Sequence, residues 1–366
     1  MFSQAKKIDR FFLISIIILT VAGFVVFISA SLGLLTQNGV SFTTIALKQL
    51  ASLGLGIVAF FVFSRIKYTW LRRSALFIFI GAILINLLLF VPSLSLFHGG
   101  AARWINIGPL SFQPSEFLKI AFVIYLAAWI QFAKDKISSL KFGLIPYLVI
   151  TAILGVLLMV QSDTDTFLII AFTGVVMLLV AGMPIKHMAM AGGVLALVVV
   201  GVVMLRPYAY QRVQTFLSGG SDVRGAGYQI NQSLIAIGSG QVTGRGFGQS
   251  IQKFGYLPQP TDDSIFAVAG EEFGFIGGSV LIVLYLLVAA SAFRIAGKSQ
   301  DLFGAMIAVG IAILIVTESF LNMSAMLGLV PLSGVPLLFV SHGGTALIII
   351  LAASGIVANV SKYGKS

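Results

Sequence analysis

The sequence predicts an all-α protein that crosses a membrane many times as a bundle of ten helices. Of the 366 residues, 58% are hydrophobic and only 10% are charged, and the mean hydropathy is +1.04. Soluble domains carry about 25% charged residues, so this composition excludes an ordinary soluble domain. Cysteine is absent and the three histidines are far apart. Disulfides and thiolate chemistry are therefore excluded, and neither a histidine-rich metal site nor a defined set of metal ligands is expected.

Ten apolar segments are long enough for membrane helices, which need about 20 mostly apolar residues each. The first follows a short basic segment, is too long for a signal-peptide core and lacks a small-residue cleavage pattern, so we expect a retained span. Backbone at membrane depth must satisfy its own hydrogen bonds, so each segment should be a helix of one bundle. The segments are Phe11–Leu35, Thr44–Phe63, Ser74–Val91, Ser115–Phe132, Leu144–Val160, Thr166–Met183, Met188–Leu205, Ser264–Ala292, Phe303–Leu327 and Gly344–Val360.

Lysine and arginine in the short loops predict the orientation of this single transmembrane domain, residues 1–366. Most of the 23 basic residues lie on the side that holds both termini, which the positive-inside rule assigns to the cytoplasm. Most of the 12 acidic residues lie in the spans or on the opposite, outer side. Function is therefore expected in the outer half of the bundle.

The only long loop, residues 206–262, joins the seventh and eighth spans on the outer side. A loop of this length in a compact protein is usually functional or disordered. Gln229–Ile237 has helical apolar spacing and predicts a short helix on the membrane surface that is ended by Gly238 and Gly240. The glycines that follow, with Arg245, could hold a phosphate on backbone N–H groups, or form a re-entrant turn packed on the bundle. No Gly-Lys-Ser/Thr follows these glycines, so the loop is not a P-loop.

Four carboxylates cluster where the eighth span begins. Asp262 and Asp263 lie at the junction of the loop and the helix, and Glu271 and Glu272 lie two turns further into the apolar run. A charged side chain near the bilayer centre costs about 2.5–3.5 kcal/mol on insertion scales, so such residues usually mark a polar cavity, a proton path or a catalytic site. One helix cannot direct two adjacent residues at one point. We therefore expect Glu271 and Glu272 to be structural supports, and Asp262 to be either a solvated loop acid or a group that raises the pKa of Asp263.

A second polar cluster surrounds the start of the fourth span, in GGAARWINIGPLSFQPSEFLK. Ser115 is a suitable N-cap, and Glu116 complements the positive end of the helix. Lys119 follows Glu116 by one turn on the same face. Two interpretations stay open. Glu116 and Lys119 form an intramembrane salt bridge that orients the helix, or Lys119 and Arg103 offer positive charge to an anionic group near the outer surface.

These motifs together resemble the SEDS family (FtsW/RodA/SpoVE) of integral-membrane peptidoglycan glycosyltransferases. The resemblance covers nearly the whole chain and leans slightly towards the FtsW division branch through SIQKFGYLP. The family fold is a ten-helix bundle with a large extracytoplasmic loop between the seventh and eighth helices, which agrees with the count of spans. The motifs are DRFFLISIIILTVAGFVVFISAS, ARWINIG…QPSEFLK, YQINQSLIAIGSGQVTGRGFGQS, YLPQPTDDSIFAVAGEEFGFIG and LLFVSHGGTALI.

The resemblance implies that the protein polymerises lipid II into β-1,4-linked glycan strands on the outer face of a bacterial cytoplasmic membrane. The family's catalytic aspartate aligns with Asp263, which would act as general base while undecaprenyl pyrophosphate leaves. A divalent cation, Mg or Mn, could bridge a carboxylate and the pyrophosphate, but no ligand spacing requires one. The other expected site residues are Arg103, Glu116, Lys119, Arg245, Gln232 and Ser341 for substrate binding, and Asp262, Glu271 and Glu272 for support.

The implied partners are lipid II, the nascent glycan strand, a class B penicillin-binding protein that crosslinks the strands, and other membrane proteins of the divisome or elongasome. Nucleic acid is not expected. Two other functions remain open. A lipid II flippase would also need intramembrane charges and a polar cavity, although no inverted repeat is visible. A noncatalytic scaffold that recruits a transpeptidase is the third possibility, and the division, elongation or sporulation role is also open.

The sequence departs from the family pattern at a few positions. The usual Gln-Pro-Asp-Leu-Gly-Thr reads QSDTDT from Gln161, so Ser162 replaces the proline and Asp165 replaces the glycine and adds a charge. His342 stands in place of a tyrosine, and Glu318 stands where a neutral amide is more common. None of these changes removes Asp263, so activity is still expected.

Overall fold

The computed structural model describes residues 7–36, 42–98, 101–107, 110–220, 225 and 227–364. Long helices dominate it. They are α1 (Arg10–Ser31), α2 (Phe42–Arg65), α3 (Tyr68–Leu87), α4 (Pro114–Ala133), α5 (Ile145–Val160), α6 (Thr164–Val180), α7 (Ile185–Leu205), α8 (Pro207–Leu217), α9 (Tyr228–Ser239), α10 (Ile265–Lys298), α11 (Leu302–Met326) and α12 (Gly344–Lys362). Short 3₁₀ turns cover Leu32–Thr36, Leu88–Phe90 and Lys134–Lys136, and a π turn covers Leu140–Leu144.

Each of the ten predicted segments coincides with one helix. Within the described ranges, nine helices are long and apolar enough to cross a membrane, and α6 is an apolar helix of 17 residues. The chain is therefore a polytopic helical membrane protein, while the count of ten spans remains a prediction. The largest differences in a boundary are six residues, at the start of α3 (Tyr68 rather than Ser74) and at the end of α10 (Lys298 rather than Ala292). Both extensions carry basic residues, Arg72 and Arg73 in α3 and Arg294 and Lys298 in α10, which lower the local hydropathy.

The start of α4 corrects one prediction. Gln113 occupies the N-cap and Pro114 the first helical position, so Ser115 is not the N-cap. Proline suits the first turn because its missing N–H would have no helical partner there. Glu116 lies in the first turn, as expected for an acid near a helix N-terminus.

A small antiparallel sheet precedes α4 and was not predicted. Its strands, in the order β1-β2-β3, are β1 (Ser95–His98), β2 (Ala101–Ile107) and β3 (Leu110–Phe112). Ile105 on β2 pairs with Ser95 on one side and Phe112 on the other. Side chains alternate along a strand, so Arg103 and the buried Ile105 share one face of β2. The sheet thereby fixes the strand that carries Arg103.

Burial divides the helices into a core and a lipid-facing shell. In α11 and α12, 72% of the apolar window is buried, against 11% in α7. Phe77 and Leu205 are 75% and 81% exposed, as expected where lipid rather than water surrounds a helix. α2 and α12 approach closely at Gly355, where a Cβ atom would lie 2.4 Å from the Phe60 carbonyl oxygen.

The predicted loop at residues 206–262 contains two helices, α8 and α9, followed by an irregular stretch that leads into α10. Residues 221–224 and 226 of this loop lie outside the described residues. The predicted helix at Gln229–Ile237 is confirmed as α9, with Gly240 at its C-cap. α8 was missed, although Pro207 in its first turn was an available signal of a helix start.

Candidate active site

The turn that carries Asp262 and Asp263 is held from two sides through its backbone. The carbonyl of Asp263 accepts a hydrogen bond from Asn322 Nδ2 of α11 at 2.8 Å. The carbonyl of Asp262 accepts from Ser341 Oγ, just before α12, at 2.7 Å. Within the described ranges, the Asp263 carboxylate itself makes no hydrogen bond or ion pair. The backbone is therefore fixed while this carboxylate keeps its oxygens available.

The surroundings of Asp263 favour a proton acceptor near neutral pH. Burial raises the pKa of Asp263 to about 7, with a further rise from the Asp262 carboxylate, while Arg212 and Arg103 act in the opposite direction. The side chain is half-buried. A carboxyl group whose pKa lies close to the working pH is well matched to general-base catalysis.

Asp262 also contacts His342, one of the residues that departs from the family pattern. The Nδ1 atom of His342 lies 3.4 Å from Asp262 Oδ1. The imidazole stacks on Phe27 of α1, with ring centroids 5.9 Å apart, and its backbone N–H donates to the Thr261 carbonyl at 2.8 Å. His342 thus packs against the acidic turn.

Arg103 reaches from β2 to the turn between α5 and α6. Its Nη2 atom donates to the Ser162 carbonyl, and Nη1 lies 3.9 Å from Asp163 Oδ1. Ser162 has a φ of +57°, in the left-handed region that residues other than glycine rarely adopt. Among the described residues, Arg103 Nε and Asp163 Oδ2 are buried with no hydrogen-bond partner. One hydrogen-bond donor of Arg103 and one acceptor of Asp163 are therefore unsatisfied on this side of the site.

Arg212 of α8 faces Arg103 across Gly334. A Cβ atom at Gly334 would lie 3.5 Å from Arg212 Nη2 and 3.8 Å from Arg103 Nη1. Arg212 pairs with Asp165 of α6 at 3.0 Å, and the same Asp165 oxygen accepts from the Gly334 N–H at 3.1 Å. Asp165, which replaces the family's glycine, therefore positions Arg212. Sequence reasoning missed Arg212 because its charge was counted only in the topology of the outer loop.

Glu116, Lys119 and Glu318 form a buried triad. Lys119 Nζ lies 2.8 Å from Glu116 Oε1 and 2.5 Å from Glu318 Oε2. Each side chain is at most 4% exposed. The salt bridge that the sequence left as one of two interpretations is present, and it has a third member. Since two carboxylates bind one ammonium group, the triad ties α4 to α11 and leaves Lys119 little capacity for another anion.

Glu271 lies against the loop that follows α9 rather than beside Asp263. It is six positions after Ile265, the first residue of α10, which is about 9 Å along the axis. Its carboxylate accepts from Ser250 Oγ at 2.6 Å and from the N–H groups of Ile251 and Gln252 at 3.0 and 3.2 Å. Arg245 Nε lies 3.4 Å away. The structure therefore does not bring Arg245 to Asp263.

Glu272 holds the same loop through a different set of groups. It accepts from Lys253 Nζ at 2.6 Å, from Ser29 Oγ of α1 at 2.5 Å and from the Ser250 N–H at 3.3 Å. Glu272 and Lys253 are both almost completely buried. The pair therefore joins α1, α10 and the loop.

α10 is interrupted at Gly274, whose φ is +65°. At this break the loop after α9 exchanges backbone hydrogen bonds with α10, so the peptide groups that lose their helical partners stay paired. Unpaired peptide groups would be costly in a membrane. At Gly244 a Cβ atom would lie 2.1 Å from the Glu272 carbonyl oxygen, so only glycine fits. This part of the glycine-rich segment is a turn packed on α10. The bonds are Arg245 N to Glu271 O (3.0 Å), Gly246 N to Glu272 O (2.9 Å), Phe275 N to Gln241 O (2.8 Å) and Ile276 N to Val242 O (3.1 Å).

The remaining expected residues differ in their distance from the acidic turn. Ser341 touches it directly. Gln232 lies half-buried on α9, but the residue of α9 that reaches the start of α10 is Gln229, whose Nε2 donates to Ser264 Oγ at 3.0 Å. Within the part of the chain that the structure describes, no cluster of three or more histidine, aspartate or glutamate residues could hold a metal ion.

Comparisons with known proteins extend over almost the entire chain. The family model described as "Cell cycle protein" (FTSW_RODA_SPOVE) matches residues 9–366. The chain is 38% identical over 321 residues to stage V sporulation protein E of Bacillus subtilis, with 87% of each chain covered. It is 37% identical over 358 residues to a probable peptidoglycan glycosyltransferase FtsW of Trichlorobacter lovleyi, covering 98% of this chain and 94% of the relative.

A solved structure has a similar fold. It is described as "Structural coordination of polymerization and crosslinking by a peptidoglycan synthase complex". The TM-score is 0.79 at 26% identity, and 97% of both chains is covered. The similarity therefore includes the loop between α7 and α10 as well as the long helices.

Proposed function

Because the chain belongs to the FtsW/RodA/SpoVE family of cell cycle proteins, we propose that it is a peptidoglycan glycosyltransferase that polymerises lipid II into β-1,4-linked glycan strands. The observation that carries this proposal is Asp263. It is a half-buried carboxylate with a pKa of about 7 and no hydrogen-bond donor among the described residues, and the charges of Arg212 and Arg103 act to lower that pKa. This arrangement suits a general base next to a pyrophosphate leaving group.

In the proposed reaction, Asp263 accepts the proton of the 4-hydroxyl group of the acceptor GlcNAc. The hydroxyl oxygen then attacks C1 of the donor MurNAc with inversion. The bond between C1 and the pyrophosphate oxygen breaks, and undecaprenyl pyrophosphate leaves with the electron pair. A positioned general base typically contributes about 10²- to 10⁴-fold.

Arg103 and Arg212 are suited to stabilise the leaving pyrophosphate. Their guanidinium groups face each other across Gly334, and arginine forms bidentate contacts with phosphate oxygens. Positive groups fixed beforehand stabilise the charge that develops on the leaving group. Lys119 is tied to two carboxylates, so its proposed contribution is to position α4 relative to α11.

The proposed setting is a bacterial cytoplasmic membrane, with residues 1–366 as one transmembrane domain and residues 206–262 as the extracytoplasmic loop. Positive charge on the face that holds both termini supports a cytoplasmic location for them. Asp263 would then face the outer surface. A class B penicillin-binding protein is the proposed partner, supported by similarity to a chain of a complex described as coordinating polymerization and crosslinking.

The experiment uses the purified full-length chain in detergent with fluorescent lipid II, alone and with a class B penicillin-binding protein. We expect glycan polymer on a gel. Lipid II that lacks the 4-hydroxyl group on GlcNAc is the control, because it has no acceptor oxygen and should give no polymer. If lipid II crosses vesicle membranes without forming polymer, the protein is a flippase. If the chain does neither, with or without its partner, a noncatalytic scaffold replaces the proposal.

A further inference from the structure

A cavity of about 520 Å³ lies at the corner between α2 and α3. Ile66, Lys67, Thr69, Trp70 and Arg73 line it, and its volume is within the range of about 300–1,000 Å³ that is typical of small-molecule sites. The corner is far from the candidate active site. Tyr68 stacks on Phe303 at the start of α11, whereas Asn322, which bonds to Asp263, lies about 28 Å further along that helix.

Contacts with α12 fix the frame of this cavity. The Tyr68 N–H donates to Asn359 Oδ1 at 3.0 Å, and Asn359 Nδ2 donates to the Ser64 carbonyl at 2.7 Å. Lys362 Nζ donates to the same Ser64 carbonyl at 2.7 Å. The short connector between α2 and α3 is therefore anchored on both sides, so the cavity is already formed before a ligand binds.

The lining is positively charged and partly apolar. It contains Lys67 and Arg73 but no acidic residue. The neighbouring Arg72 faces Asp301 at 3.8 Å, whereas Arg73 lies within 4.0 Å of no carboxylate in the described ranges. Trp70 is 58% exposed, and tryptophan is enriched where a membrane meets water. Such a lining suits an anion at the depth of the lipid headgroups.

An apolar stripe continues from the cavity along the same face of α3. Phe77, Ile80 and Leu84 follow Arg73 at helical spacing and are 75%, 45% and 57% exposed. From Arg73 to Leu84 the helix rises about 16 Å. This length is close to half of a hydrocarbon core that is about 30 Å thick, so the stripe spans one leaflet.

We propose that the corner between α2 and α3 binds one anionic phospholipid. Its phosphate lies between Lys67 and Arg73, its headgroup lies against Thr69 and Trp70, and one acyl chain follows the stripe from Phe77 to Leu84. Basic pockets at the ends of membrane helices bind anionic headgroups in this manner. The site does not depend on the proposed glycosyltransferase function.

The test measures lipid retention by native mass spectrometry of the full-length protein in detergent, with phosphatidylglycerol and phosphatidylethanolamine as probes. Wild type should retain phosphatidylglycerol preferentially. R73Q and K67Q should each weaken its binding about five-fold, and the double variant about 30-fold. R72Q is the matched control, since it removes the same charge one residue away and outside the lining, and it should bind as wild type does.

Equal losses in R72Q and R73Q would show that a diffuse positive surface attracts the lipid, and would overturn the site. Glycerol 3-phosphate has the phosphate and glycerol of the lipid but no acyl chain, so its binding measures the contribution of the headgroup alone. F77S should weaken binding of phosphatidylglycerol but not of glycerol 3-phosphate. If glycerol 3-phosphate binds wild type as tightly as phosphatidylglycerol does, the ligand is a soluble phosphate and the phospholipid proposal is wrong.

Discussion

Two pairs of adjacent acids lie little more than two turns apart in one stretch of the chain, and their surroundings differ. Glu271 and Glu272 are buried, and hydroxyl, amide and ammonium donors occupy their oxygens. Asp263 is half-buried and has no donor among the described residues, and Asp262 contacts only a histidine through its carboxylate there. Among these four carboxylates, the number of bound donors therefore separates the two glutamates, whose oxygens are occupied, from the two aspartates, whose oxygens are largely unoccupied.

The same distinction describes the two segments: the loop after α9 is bonded to side chains of α10, while the carboxylate of Asp263 has no bonded partner among the described residues. The glutamates bond to the loop, and the loop in turn completes the backbone of the broken α10. The turn at Asp263 is held mainly through its backbone carbonyls, which accept hydrogen bonds from Asn322, Ser341 and the His342 N–H. A base must accept a proton from substrate, so an unoccupied carboxylate on a fixed backbone is the more suitable geometry.

The largest expected effect comes from breaking the buried ion pair between Glu272 and Lys253. E272Q removes the counter-charge of the fully buried Lys253, and breaking one partner of a buried pair costs about 3–5 kcal/mol. We expect a clear fall in the unfolding temperature of the purified protein, measured by differential scanning fluorimetry in detergent. R294Q is the control because its pair with Asp9 is exposed and should contribute about 0–1 kcal/mol. Equal unfolding temperatures for the two variants would contradict the structural role of Glu272.

The next effect concerns the arginines beside the open carboxylate. R212Q should lower kcat/KM for lipid II polymerisation by about 10²-fold, since removal of one fixed donor in other enzymes has that effect or more. Arg206 provides a matched control, because it caps the start of the same helix and its side chain bonds, among the described residues, only to the Met159 carbonyl. A similar kcat/KM for R212Q and R206Q would show that Arg212 does not act on the leaving group.

The smallest expected effect is on the pH dependence of the polymerisation rate, which distinguishes the role of Asp262 from that of Asp263. Asp263 must be ionised to act as base, so the rate should rise with pH and level off above its pKa of about 7. D262N removes a negative neighbour that raises this pKa. The rise of the rate with pH, which is the acid limb of the pH–rate profile, should therefore move to lower pH by roughly 0.2–0.7 units. D135N, at an exposed acid far from the site, should leave the limb in place. A limb that moves to higher pH in D262N would contradict the proposed coupling.

The sequence predicted features that depend on local patterns. The apolar segments, the helix at Gln229–Ile237 and the location of Asp263 at a loop–helix junction all follow from spacing along the chain. Contacts between distant segments could not be predicted in this way. Lys119 and Glu318 are far apart in sequence, as are Arg212 and Asp165, and only the packing of the helices brings each pair together.

Glu271 and Glu272 show the same limit. Their expected role as supports followed from the direction of adjacent side chains on a helix. Their partners Ser250 and Lys253 lie in an irregular loop where no periodicity predicts a contact. The small sheet was missed because its strands are short and lie in a connection between apolar helices.

The central claim is that Asp263 is the general base, and D263N tests it most directly because the amide keeps the size of the carboxylate. Lipid II polymerisation by D263N should be slower than wild type by about 10²- to 10⁴-fold, with an unchanged unfolding temperature. D262N, measured at pH 8 as the neighbouring control, should keep most of the wild-type rate. If D263N polymerises lipid II at the wild-type rate, Asp263 is not the base and the account is wrong.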